Sequence, residues 1–179
     1  MALQKSTVPY KGSCFGGILN IFETIVARAS GISADSPLAG VLSSRSDILE
    51  LTENSHDASL RPKQPGGLSH SERAGLAYRI TKRNNETALM RHYEQLFGVD
   101  SQTLADTSFD GGTDARKKAM IRHTDLVTID PKDAVIEDVA ALSAAGLDDA
   151  DIVRLSELIA FVSYQVRVVA GLRLMAEVA

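Results

Sequence analysis

Residues 146–174 read GLDDADIVRLSELIAFVSYQVRVVAGLRL, and they carry the strongest helix pattern of the chain. Its apolar residues recur at the spacing of one helix face: Ile152, Leu155, Ile159, Val162, Val166 and Val169. Asp148 is placed to cap this helix, and Asp149 and Asp151 bring negative charge to its first turn, where the helix dipole favours it. The second half is apolar nearly all round, which predicts a helix that is either buried in the core or covered by another subunit.

Caps and helix breakers divide the rest of the chain into further helices. Predicted helix ends fall at Gly31, at Asn84, at Gly98, before Pro131 and at Gly146. The prolines and glycines of residues 60–67 indicate a linker. Ser69, followed by Glu72 three residues later, has the spacing of a capping box. No strand-like alternation persists along the chain, so the sequence predicts an all-α fold.

The length of 179 residues favours one domain with a short N-terminal extension. We expect residues 1–17 to form a disordered leader and residues 18–179 to form a single helical domain, with halves of about 35–110 and 111–179. Aromatic residues make up only 5% of the chain and Trp is absent, so the core must be built mainly from aliphatic side chains.

Charge and composition argue against several classes of function. The net charge is −4 and basic residues are scattered, whereas nucleic-acid binding needs a basic face. The apolar run 160–170 is interrupted by Ser163, Gln165 and Arg167, which argues against a membrane span. Cys14 is the only cysteine, so an internal disulfide is impossible and a reducing cytoplasm is expected. The four histidines lack metal-binding spacing and no phosphate-binding loop is present, so we expect no metal and no cofactor.

Two stretches of the chain are similar to each other. One begins at Gly67 and the other at Gly146, and each continues with leucine. When the two stretches are aligned, Leu76 matches Leu155 and Ile80 matches Ile159. This repeat predicts two helical hairpins related by pseudo-symmetry, each incomplete without the other.

Both stretches resemble the core motif of the carboxymuconolactone decarboxylase and alkylhydroperoxidase-D superfamily. The similarity is greatest from Gly146 through the AFVSYQVR of residues 160–167 to Arg173, and residues 69–93 resemble the first copy. In all, the resemblance covers about residues 35–179. It implies an alkylhydroperoxidase-D-like helical fold and a homo-oligomer, which could be a dimer, a trimer or a hexamer.

The chain departs from this family at the positions that carry its peroxidase chemistry. Family peroxidases use a Cys-x-x-Cys pair, in which one thiolate attacks the peroxide and the second thiol resolves the sulfenic acid. Counted from Leu68, the cysteine positions fall on Glu86 and Leu89, and the histidine position falls on Tyr93, with His92 one residue short. The matching cysteine positions of the second copy are Gln165 and Val168. The sequence therefore excludes the dithiol mechanism for this chain alone.

Arg167 is the most informative of the remaining polar residues, because it lies between Val166 and two further valines. A buried guanidinium is costly without a partner, so we expect Arg167 to have one. In one interpretation Arg167 clamps the carboxylate of a ligand, with Tyr164 as a hydrogen-bond donor on the same helix face. In the other it forms a structural pair with Glu157, Asp125 or a neighbouring subunit.

Other candidates are weaker. His92 and Glu86 are the candidate acid–base residues, and the candidate ligand-binding residues are Tyr164, Gln165, Arg167, Tyr93 and His123. His123 could be oriented by Asp125, although residues two apart on a helix do not face each other. His56 and His70 are expected at loop or cap positions.

The sequence is compatible with three functions. The first is a catalytically degenerate, accessory oligomer in peroxide or small-molecule metabolism, expected to partner a cysteine-bearing paralogue. The second is a cysteine-independent enzyme of the decarboxylase or lactone type, with a small carboxylate substrate held by Arg167 and with His92 or Glu86 as general acid or base. The third is an antioxidant hydroperoxidase that depends on Cys14.

Overall fold

A computed structural model describes residues 20–179, which fold into α-helices joined by turns, with no β-strand in that range. The prediction of an all-α fold is therefore confirmed. The expected leader 1–17 and the single cysteine, Cys14, lie outside the described residues.

Nine α-helices follow one another along the described chain. Their bounds are α1 Ile25–Ser30, α2 Ala39–Ser43, α3 Ser46–Leu60, α4 His70–Arg83, α5 Thr87–Glu94, α6 Gln102–Ala105, α7 Ala115–Ile129, α8 Ile136–Ala144 and α9 Asp149–Val178. Short 3-10 turns occupy Ile21–Glu23, Val99–Ser101 and Pro131–Asp133.

The helix caps and the helix end predicted at Ser69, Asp148 and Gly31 are present in the structure. The hydroxyl of Ser69 accepts a hydrogen bond from the backbone N–H of Glu72 at 3.2 Å, and the Glu72 carboxylate accepts from the backbone N–H of Ser69 at 2.9 Å. Asp148 caps α9 by accepting from the backbone N–H of Asp151 at 2.7 Å. Gly31 ends α1 in the left-handed conformation. These contacts satisfy N–H groups that a helix start leaves without partners.

Helices α4 and α9 pack against each other and form the centre of the molecule, with α1, α3 and α7 also packed on α9. Leu76 and Ile80 of α4 are fully buried, as are Leu155 and Ile159 of α9. The four residues that the sequence repeat pairs with one another thus all belong to one hydrophobic core.

The buried side chain of Arg73 holds the linker of residues 60–67 in place before α4. Its guanidinium donates hydrogen bonds to the backbone carbonyls of Leu68, Ser59 and Pro65 at 3.1, 3.0 and 2.9 Å. On the other side of the linker, the Asp151 carboxylate accepts from the backbone N–H of Gly67 at 2.9 Å. The linker is therefore held to both central helices by charged hydrogen bonds.

The long helix α9 changes character along its length. Its first half carries core residues, whereas its last residues, from 174 onward, are exposed. Among the described residues α9 is the one helix long and apolar enough to cross a membrane, judged by length and composition, and 33% of its most apolar stretch is buried inside the protein. The expectation that the polar residues of run 160–170 rule out a membrane span is therefore not confirmed by length and composition, although Leu155, Ile159 and Val169 of the same helix are buried in the core.

Candidate functional site

Three of the predicted site residues come together where α5 meets α9. The phenol of Tyr93 donates a hydrogen bond to the side-chain oxygen of Gln165, and both side chains are fully buried. The ring of His92 lies edge-on to the ring of Tyr93, with centroids 5.0 Å apart. His56 of α3 completes this group, which we call the histidine cluster: His56, His92, Tyr93 and Gln165.

His56 was wrongly expected at a loop or cap position. It lies inside α3 and is fully buried, with its ring stacked on Tyr93 at a centroid distance of 6.0 Å. Its position follows from spacing, because Leu49, Glu53, His56 and Leu60 recur on one helix face and all are buried. The spacing of His56 with the leucines could have predicted that His56 is buried. It could not predict which residues His56 contacts.

The two histidines of the cluster contact each other directly. Nε2 of His56 lies 3.1 Å from Nε2 of His92, and Nδ1 of His56 lies 3.3 Å from the Asp57 carboxylate. Because a carboxylate can only accept, the proton of His56 is assigned to Nδ1. Nε2 of His56 then accepts from the N–H of His92. The order of donors and acceptors therefore runs from His92 through His56 to Asp57.

The surroundings of His92 keep its ring neutral. Burial lowers the pKa of His92 from its usual 6.5 to about 3; any positive charge on the neighbouring His56 ring would act in the same direction, as the positive charge of Arg28 does. Phe161 packs its ring edge-on against His56, with centroids 6.3 Å apart. Aromatic rings thus pack around the two histidines. The side-chain nitrogen of Gln165, in the same cluster, has no hydrogen-bond partner within residues 20–179.

Glu86 lies at the other end of α5, where it has two structural contacts. Its carboxylate caps the helix by accepting from the backbone N–H of Ala88 at 3.1 Å. It also pairs with both terminal nitrogens of the Arg173 guanidinium, at 2.6 and 2.8 Å. The carboxylate that was a candidate acid or base therefore belongs to an ion pair and a helix cap.

Arg167 does not occupy the buried position that its apolar neighbours suggested. It is exposed on α9 and forms no ion pair with Glu157 or with Asp125, which instead binds Arg79. The error has a simple geometric cause. Consecutive residues on a helix point about 100° apart, so valines that are partly or fully buried can flank an exposed residue.

The other predicted site residues, Tyr164 and His123, lie outside the histidine cluster. Tyr164 is 41% exposed, and its hydroxyl lies 3.1 Å from the Thr52 hydroxyl of α3. His123 is buried in α7, where burial lowers its pKa although the charge of Asp138 acts to raise it. Nδ1 of His123 has no hydrogen-bond partner in the described chain. The predicted pocket of Tyr164, Arg167 and Gln165 is therefore not formed, because only Gln165 faces the interior.

The surface of the described chain includes a groove and a cleft. A groove of about 410 Å³ between α3 and α9 is lined by Ile48, Leu51, Thr52, Ser55, Ala160, Phe161 and Tyr164. A cleft of about 680 Å³ lies beside α4 and α6, and its aromatic lining residues are Tyr78, Phe97 and Phe109. No group of three or more acidic, histidine or cysteine residues that could hold a metal ion occurs within residues 20–179.

Comparison with known proteins adds no relative. No model of a known protein family matches this chain, and no curated protein matches it either. The kinship with alkylhydroperoxidase-D proteins remains a prediction from sequence.

Proposed function

We propose that this chain is an alkylhydroperoxidase-D-like protein without peroxidase chemistry, which acts as an accessory subunit of an oligomer in peroxide or small-molecule metabolism. One observation carries the proposal. The positions that align with the redox centre of such peroxidases hold residues that pack or pair within the chain: Glu86, Leu89, Tyr93 and Gln165.

The pairing of Tyr93 with Gln165 is the strongest part of this observation. Tyr93 stands at the histidine position of the first copy, and Gln165 stands at a cysteine position of the second. Their hydrogen bond is fully buried. Leu89, at the other cysteine position of the first copy, is also fully buried. Packed side chains at these positions, two of them hydrogen-bonded to each other, support a structural role for the region.

The missing thiols support the same proposal on chemical grounds. Reduction of a peroxide by two thiols forms a sulfenic acid and then a disulfide, so it needs two cysteines in reach of each other. Cys14 is the single cysteine of the chain. A monomer can therefore not complete this cycle, and the hydroperoxidase alternative needs a thiol from elsewhere.

The carboxylate-clamp alternative has less support. It needs Arg167 inside a closed pocket, whereas Arg167 is exposed. Of its two candidate acid–base residues, His92 and Glu86, Glu86 is paired with Arg173. His92, the other candidate, is in contact with His56, and its pKa of about 3 makes it a weak base at neutral pH. That contact alone provides no site for a substrate.

The proposal is tested with the purified full-length chain. Consumption of an organic hydroperoxide is measured with a dithiol reductant present, for the wild type and for Cys14→Ser. We expect hydroperoxide to be consumed no faster with either protein than in buffer alone. We also expect both proteins to form the same oligomer, as measured by light scattering. We further expect the chain to co-elute with a cysteine-bearing paralogue when the two are mixed. Turnover of peroxide at an enzyme-like rate by Cys14→Ser would overturn the proposal.

A further inference from the structure

The exposed side of α9 carries a regular series of residues, which we call the α9 seam. The steps between them alternate between four and three, and all are exposed: Val153, Glu157, Ala160, Tyr164, Arg167, Gly171, Leu174 and Val178. An alternation of three and four is the spacing of the contact positions in paired helices. Val153, Leu174 and Val178 are more than half exposed, which is costly if no partner covers them.

We propose that two copies of this chain pair through the α9 seam, antiparallel, about a twofold axis that passes midway between Ala160 and Tyr164, at the level of position 162. The inference rests on the oligomer in the proposed function and specifies its surface. In this register, residues equally distant from position 162 on either side face each other. The contact is the self-complementary kind that twofold dimers require.

Charge selects the antiparallel register. Glu157 and Arg167 are each five residues from position 162, so Glu157 of one copy faces Arg167 of the partner subunit, and the reverse pair forms as well. A parallel arrangement in register would place Glu157 against Glu157 and Arg167 against Arg167, which is repulsive. The antiparallel register thus supplies the partner that Arg167 lacks within the described chain.

Side-chain size agrees with the same register. Ala160 faces Tyr164, and Val153 faces Gly171. Leu174 and Ala150 are both twelve residues from the axis and also face each other, and Ala150 is exposed. Each contact places a large side chain against a small one, as interdigitating helices do. A Cβ added at Gly171 would meet nothing within 4 Å, so that side of α9 has room for a partner.

Helix α3 extends the surface beside the α9 seam. Ile48 and Leu51 are exposed there and line the groove of about 410 Å³ with Phe161 and Tyr164. The hydrogen bond from Tyr164 to Thr52 ties the seam to this groove. A second copy of α9 lying on the seam would cover these apolar side chains too. From Val153 to Gly171 the contact would extend about 27 Å, since a helix rises about 1.5 Å per residue.

Charge reversal tests the surface. The dimer dissociation constant is measured by analytical ultracentrifugation for Glu157→Arg, for Arg167→Glu and for the double variant. Each single change should weaken the dimer by about tenfold or more, because two like-charged pairs then face each other, and the double variant should recover near wild-type affinity. Glu137→Arg, an exposed change on α8, is the matched control and should leave affinity unchanged. The changed residues are exposed, and circular dichroism verifies folding.

Disulfide trapping tests the direction of pairing, in a Cys14→Ser background. Val153→Cys and Gly171→Cys should cross-link under mild oxidation only after the two proteins are mixed, because these positions face each other across the axis. Cross-linking of either protein with itself would overturn the antiparallel register. An oligomer that both single charge reversals leave unchanged would overturn the surface while leaving the proposed accessory subunit intact. A chain that is monomeric at micromolar concentration would overturn this inference and the oligomer of the proposed function together, although the absence of peroxidase chemistry would stand.

Discussion

Glu86 and Arg173, 87 residues apart in the chain, form a two-point ion pair with N–O distances of 2.6 and 2.8 Å. The same guanidinium donates to the backbone carbonyl of Ala29 at 2.6 Å. One side chain thus ties the end of α1 and the start of α5 to α9. Because Glu86 is buried and caps α5, this pair also sets where α5 begins.

Removal of the guanidinium in Arg173→Met should destabilise the fold. The Glu86 carboxylate would keep its burial but lose its counter-charge, and a buried pair broken on one side costs about 3–5 kcal/mol. Arg173 is 39% exposed, so we expect a smaller loss of about 2 kcal/mol, measured by urea unfolding. Arg91→Met, at an exposed arginine of α5, is the control and should change the stability by less than about 0.5 kcal/mol. Equal midpoints for the two variants would contradict the role of the pair.

Arg73 should be still more sensitive, since its side chain is buried and satisfies three backbone carbonyls. Arg73→Met leaves those carbonyls without donors, and we expect a loss of about 3 kcal/mol. For a chain of this size the melting temperature should fall by about 6–12 °C. Arg73→Lys should recover only part of the loss, because an ammonium group cannot reproduce the planar fork of donors. A lysine variant as stable as the wild type would show that charge alone is needed here.

Local sequence signals predicted much of the fold. The capping box of Ser69 and Glu72 and the cap at Asp148 depend on residues three apart, so they can be read without knowledge of the rest of the chain. The aliphatic spacing that runs through Leu155 and Val162 likewise specified the buried face of α9. Such signals predict that a helix forms and which face it buries.

Partners distant in sequence were not predictable. Arg167 was expected to be buried because its neighbours are apolar, but the direction in which a residue faces depends on which helices pack on α9. The contact of His56 with His92 joins α3 to α5, and no local pattern encodes it. The Glu86–Arg173 pair joins residues 87 positions apart and was missed for the same reason. Tertiary placement thus decided which candidate residues meet.

Alanine substitutions at Gly31 and Gly111 distinguish the cost of backbone strain from the cost of a steric clash. Gly31 and Gly111 both have positive φ, +78° and +104°. A Cβ at Gly31 would meet nothing within 4 Å, whereas a Cβ at Gly111 would lie 2.3 Å from the Cα of Lys118. We expect Gly31→Ala to cost about 1 kcal/mol from strain alone and Gly111→Ala to cost more than about 3 kcal/mol, because the backbone of α7 must move. Urea unfolding of both variants tests the order, and a smaller loss for Gly111→Ala would contradict the packing of that loop on α7.

The lowered pKa of His92 predicts how stability changes with pH. An unfolded chain protonates His92 near its usual pKa of 6.5, whereas the folded chain resists protonation down to about pH 3. The unfolded state therefore binds more protons in this window, so the contribution of His92 to stability is complete above pH 6.5 and is lost as the pH falls toward 3.

Between pH 7.5 and pH 5.0 this loss should reach at most about 2 kcal/mol, since each pH unit below 6.5 contributes up to about 1.4 kcal/mol. His92→Gln removes the titrating ring, so its stability should fall less than that of the wild type over the same interval. Urea unfolding at both pH values measures the two losses, and other titrating groups cancel in their difference. Between pH 7.5 and 9.0 neither state protonates His92, so the stability difference between the two proteins should stay constant there. Equal losses of stability for the two proteins between pH 7.5 and pH 5.0 would mean that His92 has the same pKa in the folded and unfolded chains. That result would contradict the packing of His92 against His56 and Tyr93.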